Sequence, residues 1–310
     1  MQLTRRGFSA SLAAGLVALP QLSAQPAPPA PPKPKKLKIG HTGITWPGGA
    51  DKHGIEVAIR DLGSLGYYGL ETFGDVLDQY EKEGGLLRHL EAANLPLMSG
   101  YCTVDLVDPA KRSEGVARMT AWAKLIRKNG GRIIILGPSS RRAVPNYQFN
   151  EHRTNIAATL TEIARAVLDV GVTGVLHPHT GTVVETLEET IATLDTVDTR
   201  YVKFGPDIGQ IVKGGAEPAA VTKLVKDHLA LVHHMHLKDY SGGQYYLGYC
   251  PLGFGRVELG NLLDLMETKT DMAGMVMVEL DGGRLTPMPP LEAARIAKVY
   301  LQSQGISFRV

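Results

Sequence analysis

Short apolar runs, rich in β-branched residues, alternate along the chain with longer stretches whose apolar positions recur at helical spacing. The short runs read as strands: 37–44 (LKIGHTGI), 67–73 (YYGLETF), 95–104 (LPLMSGYCTV), 132–137 (RIIILG), 172–179 (VTGVLHPH), 200–207 (RYVKFGPD), 231–239 (LVHHMHLKD) and 274–280 (GMVMVEL). Between them lie helical patterns, among them 75–94, 109–130, 151–171 and 290–305. Several end in Gly or Asn-Gly just before the next strand, as helix C-caps do. The pattern predicts eight strands and eight helices in alternation. That is the α/β class with a parallel sheet, and the length suits a single closed (β/α)8 TIM barrel. A doubly wound open sheet is the alternative. It needs a Gly-rich phosphate loop after the first strand, and GHTGITWPGG matches that fingerprint poorly.

The N-terminus does not share this pattern. Residues 4–8 (TRRGF) form a twin-arginine stretch, followed by the weakly apolar run SASLAAGLVALP and a small residue, Ala24, suited to cleavage. Residues 1–24 are therefore expected to be a twin-arginine export signal, which places the protein in the periplasm. The apolar run is too short to cross and remain, so no stable membrane insertion is expected. Residues 25–36 are a Pro-rich linker, expected to be extended and unpacked, and the barrel spans 37–310. A periplasmic location permits a disulfide between Cys102 and Cys250, both near strand ends; two free thiols are the other reading.

Charge narrows the partners. There are 33 Lys and Arg against 31 Asp and Glu, with no basic stripe, so nucleic acid is not expected as a partner. The reading leaves a small-molecule substrate, with a homo-oligomer compatible with the sequence.

In such barrels the chemistry sits at the C-terminal ends of the strands. Strand residues alternate faces, so His177 and His179 share one face of the fifth strand. On the seventh, His234, His236 and Lys238 share a face opposite His233 and Asp239, with His234 a layer deeper. Asp207 closes the sixth strand, Glu279 ends the eighth, Glu71 ends the second, and His41 lies on the first. Taken singly, each is as readily a hydrogen-bonded core residue or a cap. Together, His or carboxylate at the ends of four neighbouring strands points to a bound cation, because an apolar barrel does not bury so many polar groups unpaired. Imidazole with carboxylate suits one divalent ion such as Mn, Co or Zn.

The stretches HPHTGTVVET, GPDIGQIVKGG, HHMHLKDY, PLGFGRVELGNLLDLM and MVMVELDGG resemble the xylose-isomerase-like barrels of the sugar phosphate isomerase/epimerase superfamily. Within it they are most similar to inosose dehydratases. The resemblance is strongest over 170–283. It implies a metal set of His177 or His179, Asp207, His236 and Glu279. Many relatives carry a glutamate at the end of the fifth strand, paired with that of the eighth for two-sided proton transfer; here the position is histidine. Relatives also often carry a histidine three residues after the sixth-strand aspartate, where this chain has Gln210. That makes a multi-metal phosphodiesterase site of the apurinic-endonuclease type an unlikely outcome.

A divalent ion holding a ketone and its neighbouring hydroxyl would stabilise an enediolate. A base then removes the α-proton, and the intermediate either regains a proton or expels a β-leaving group. The base is whichever fifth-strand histidine is not a ligand, or Glu71. With His177 as ligand, that leaves His179. Lys238 is expected to donate to an oxyanion or leaving group, or else to form a salt bridge. Asp239 is expected to orient a ligand histidine. His41, Gln210 and Arg256 are the expected substrate contacts. The chain thus reads as a carbon–oxygen lyase acting on an unphosphorylated keto-sugar, keto-glycoside or keto-cyclitol. A sugar isomerase or epimerase with the same metal site, or a non-catalytic sugar-binding barrel, is the alternative.

Overall fold

The structure, a computed structural model, describes residues 32–47, 52–269, 271–272, 275–282 and 286–310. The expected export signal and most of the linker lie outside the described residues. Seven of the predicted strands come first: β1 (Ile39–Thr42), β2 (Leu70–Phe73), β3 (Leu97–Val104), β4 (Ile133–Pro138), β5 (Thr173–Leu176), β6 (Lys203–Phe204) and β7 (Met235–Leu237). A two-stranded antiparallel ribbon follows, β8 (Asp239–Tyr240) with β9 (Tyr249–Cys250). The eighth barrel strand is β10 (Val276–Val278). The eight run parallel in the order β6-β5-β4-β3-β2-β1-β10-β7. Isolated parallel bridges, Phe204 with Val232 and Asp207 with His236, join the two ends of that order. The second of these bridges sets the sixth- and seventh-strand polar residues side by side.

Ten α-helices lie among the described residues, against eight expected. They are α1 (Lys52–Leu65), α2 (Gly74–Glu81), α3 (Leu87–Ala92), α4 (Arg112–Lys128), α5 (Phe149–Asp169), α6 (Leu187–Leu194), α7 (Ile208–Lys213), α8 (Pro218–Asp227), α9 (Leu259–Glu267) and α10 (Pro290–Ser303). The helix expected over 75–94 is two, because Gly84 and Gly85 take φ of +93° and +90° and stop the first. A second short pair, α7 and α8, follows β6.

The core explains the strand pattern. Ile134, Ile135 and Leu136 of β4, Val175 and Leu176 of β5, and Phe204 of β6 are fully buried. Such unbroken apolar runs belong to a parallel sheet covered on both faces. On α5 the buried positions Ile156, Leu160, Ile163 and Val167 recur at helical spacing and form the covering stripe.

Packing begins earlier than Leu37. Lys35 pairs with Ile306 in a parallel bridge, its ammonium lies 3.0 Å from Asp264, and the Lys36 amide donates to Glu267. The end of the linker is thus packed, because the C-terminal segment offers it backbone partners. Cys102 and Cys250 are both free and buried. No helix among the described residues is long and apolar enough to cross a membrane.

Candidate functional site

The site forms where strands give way to loops. β5 stops at Leu176, since Pro178 has no N–H to extend a ladder, so His177 and His179 stand in the loop beyond it. That loop turns tightly: the Thr182 amide donates to the His179 carbonyl, and Gly181 takes a φ of +78°. Asp207 is the N-cap of α7; its Oδ1 accepts from the Gln210 amide at 3.0 Å. Gly209 keeps this helix close, because a Cβ there would meet Lys238 Cγ at 2.7 Å.

Hydrogen bonding fixes which atom each histidine presents. His177 Nδ1 lies 2.9 Å from the Gly205 carbonyl, which can only accept, so the proton is on Nδ1. Its Nε2 is therefore a bare lone pair. That atom is buried without a hydrogen bond and stands 3.9 Å from Asp207 Oδ2. His236 Nε2 donates to Glu71 Oε1 at 2.8 Å. Its Nδ1 is 3.7 Å from Asp207 Oδ2 and 3.0 Å from Glu279 Oε2, out of line for a hydrogen bond to either. Two buried imidazole nitrogens thus converge on one carboxylate oxygen.

Three potential ligand atoms lie within 4.8 Å of one another in each of two groups: His177, Asp207 and His236, and Glu71, His234 and His236. In the second group the atoms already bond one another. Glu71 Oε2 accepts from Ser99 Oγ at 2.7 Å and lies 3.0 Å from His234 Nε2. The first group has its nitrogens free, and Glu279 touches it through His236. The structure brings His177, Asp207 and His236 together, with Glu279 beside His236, and the two unpartnered nitrogens with the Asp207 carboxylate make a donor set that suits a cation.

Electrostatics favours the same conclusion. Lys238 is fully buried and meets Asp207 at 2.8 Å, Glu279 at 2.5 Å and Asp281 at 3.0 Å. Burial lowers its pKa, but the three carboxylates outweigh that and hold it well above the usual lysine value. Burial likewise opposes charge on His236, yet Glu279 and Glu71 raise its pKa well above 6.5. His177, His179 and His234 are lowered, chiefly by burial, and are neutral. Four carboxylates (Glu71, Asp207, Glu279 and Asp281) therefore face one ammonium and one imidazole able to carry charge. Asp207 stays ionised: burial raises its pKa, but Lys238 and His236 more than compensate. Glu71 is also held low, since His236 and His234 overcome its burial. Glu279 absorbs the excess; burial first, then Asp281 and Asp207, push its pKa up to about 7.

The folded protein holds the Glu279 proton more tightly than the unfolded chain does, whose ordinary value is 4.5. The associated stability is complete below about pH 4.5 and is lost as pH rises through about 7. Without a bound cation, urea unfolding should show Glu279→Gln gaining about 3 kcal/mol on wild type between pH 4.5 and 8. An unchanged difference across that range would contradict the raised value.

The other expected site residues fall into place unequally. His179 lines the cavity, but its Nδ1 faces the Thr180 carbonyl and its Nε2 lies 2.7 Å from Gln210 Nε2. Gln210 is buried and also bonds Thr180 and Asp281, so it braces the site. Glu71 lines the cavity, but both its oxygens are engaged by Ser99, His234 and His236. His41 is buried among Trp46 and Tyr67, donates to the Thr42 carbonyl, and has its pKa lowered by burial to about 4. Arg256 is exposed, outside the lining, over the Tyr240 ring. Asp239 does not orient a histidine. Its carboxylate accepts from the amides of Tyr240, Gly253, Gly255 and Val257, because the ribbon folds those amides around it. Asp281 and Tyr101 were not expected. Asp281 could have been found by its spacing, two residues after Glu279; Tyr101 carried no such signal.

Glu71, Tyr101, His179, Glu279 and Asp281 line a cavity of about 110 Å³, and His236 and Lys238 contact its Glu279 wall. A cleft of about 490 Å³ shares Ile44, His179 and Asp281 with it and leads outward.

A parallel eight-stranded barrel with buried His and carboxylate side chains at its strand ends defines a class of enzyme-like scaffold. The family model of the xylose isomerase-like TIM barrel matches residues 59–303, and the chain belongs to that family. An inosose dehydratase from Clostridium botulinum (strain Alaska E43 / Type E3) is 27% identical over 213 residues, 65% of this chain and 68% of that protein. Among solved structures, the IOLI protein with a bound zinc atom aligns at TM-score 0.68 and 17% identity, covering 87% of this chain and 98% of the other. The 3-keto-D-glucoside 4-epimerase from E. coli aligns at TM-score 0.66 and 18% identity, covering 86% and 100%. At such identities the two structures speak for the fold.

Proposed function

We propose that the protein is a divalent-metal-dependent lyase acting on an unphosphorylated keto-sugar, keto-glycoside or keto-cyclitol. The observation that carries this reading is the pair of orphaned nitrogens, His177 Nε2 and His236 Nδ1, facing the Asp207 carboxylate. His177, Asp207, His236 and Glu279 would hold the ion, with Mn, Co or Zn suited to that donor set. Bound there, the ion would supply a Lewis acid for a ketone and its neighbouring hydroxyl. The inosose dehydratase relative supports the substrate class. The twin-arginine stretch at Arg5 and Arg6 adds a periplasmic setting, where phosphorylated sugars are scarce.

The choice of elimination rests on proton inventory. His179 lines the cavity, is not in the ligand set, and presents Nε2 as an acceptor beside Gln210 Nε2, so it is the base. It would remove the α-proton and pass it to the departing group on the same face. Epimerisation needs a second titrating group across the ring. Glu279, which lines the cavity with His179, would be held by the ion and so is not free for that role. Glu71 acts as a positioning residue, holding the His236 proton on Nε2. Lys238 keeps the Asp207 and Glu279 carboxylates together.

The test is product analysis. Metal-loaded protein is incubated with inosose and with a 3-keto-glucoside in D2O and followed by proton NMR. A conjugated enone with release of the β-substituent is expected. A stereoisomer carrying deuterium at the α-carbon would move the assignment to an epimerase. Tight binding without turnover would leave a sugar-binding barrel.

A further inference from the structure

Beside the polar cleft the β8–β9 ribbon builds a second recess of different chemistry. It encloses about 270 Å³ and is lined by Tyr245, Tyr246, Pro251, Phe254, Met288 and Ile296. Tyr246 and Met288 also line the outward cleft, which in turn shares His179 and Asp281 with the polar cavity. A ligand ring held over Glu279 would therefore have an apolar wall within reach on one side.

The recess is preformed. Asp239 pins the base of the ribbon through four backbone amides. Lys213 donates to the Leu247 carbonyl at 2.9 Å and so ties down the tip. Tyr246 and Leu247 take φ of 51° and 60°, a left-handed conformation that costs energy without glycine and marks ligand clamps. The result leaves apolar surface unpartnered: Tyr245, Leu247 and Phe254 are 45%, 58% and 68% exposed within one ten-residue segment. A preorganised apolar surface binds its ligand without the cost of ordering loops.

We infer that this recess takes an aromatic or similarly apolar aglycone, so the substrate is a keto-glycoside and the departing group is that aglycone. The inference rests on the proposed keto-sugar reading of the adjoining cavity. In the elimination the α-proton goes to the base of the adjoining cavity, the C–O bond to the aglycone breaks with its electron pair, and the proton follows to the aglycone oxygen. Atoms and charge balance without oxidant or reductant.

The experiment compares phenyl and methyl 3-keto-glucosides on the metal-loaded protein, by calorimetry for Kd and by aglycone release for turnover. Burial of the ring should make the phenyl compound bind roughly 30-fold more tightly. Phe254→Ala, at a largely exposed position, should remove most of that preference while leaving the methyl compound's Kd unchanged; Tyr245→Ala is the second variant. Equal Kd for the two compounds would overturn the inference even if both turn over. Tight phenyl binding without turnover of either compound would uphold the recess and reject the lyase reading. A dimer lost in Phe254→Ala, with the phenyl preference intact, would assign the recess to a second copy of the chain.

Discussion

Asp207→Asn is expected to purify with little metal and to lose turnover by at least ~1,000-fold. The carboxylate is fully buried and is the point on which His177 Nε2, His236 Nδ1 and Lys238 Nζ converge, at 3.9, 3.7 and 2.8 Å. Asparagine keeps the oxygen that caps α7 and accepts from the Gln210 amide, so the helix should stay in place. What it removes is the negative charge. The variant therefore separates the electrostatic role from the structural one: circular dichroism should match wild type while metal content, read by elemental analysis, falls. A variant that retains one equivalent of metal would take Asp207 out of the ligand set.

Lys238→Met should produce the largest loss of stability. The ammonium is fully buried between Asp207, Glu279 and Asp281, and lies 4.8 Å from the centre of the Tyr249 ring. Methionine fills a similar volume but leaves three carboxylates crowded together. Removing one partner of a buried ion pair costs about 3–5 kcal/mol, which for a barrel of this size is roughly 6–15 °C in Tm at pH 7.5. The deficit should shrink at pH 5, where Glu279 carries a proton, and on addition of a divalent ion that restores the missing positive charge. Thermal melts at the two pH values, with and without Mn, check all three statements. A Tm within 2 °C of wild type under every condition would show that the three acids do not depend on the lysine.

Much of the barrel was legible because its signals are local. The apolar runs of β4 and β5 and the buried stripe of α5 follow directly from periodicity. The exceptions were local too. Gly84 and Gly85 split one expected helix, and their meaning depends on a positive φ that residue type permits but does not demand. The site was legible only in part. Strand ends gave a wider list of polar candidates, the family resemblance narrowed it to His177 or His179 with Asp207, His236 and Glu279, and barrel closure set these near one another. His41 also lies on a barrel strand, yet it packs against Trp46 and Tyr67; a single strand's alternation does not say what occupies the space it faces.

The chain itself determined the order of strands and helices, and which polar groups ride at the strand ends, because side-chain alternation and helical repeat need only near neighbours. Only the folded molecule decided what each group can do. His236 has a free Nδ1 because Glu71, 165 residues away, takes its other nitrogen, and Asp239 serves the ribbon because four later amides reach it. Tautomers and ion pairs are set by such distant partners, and no local pattern carries them.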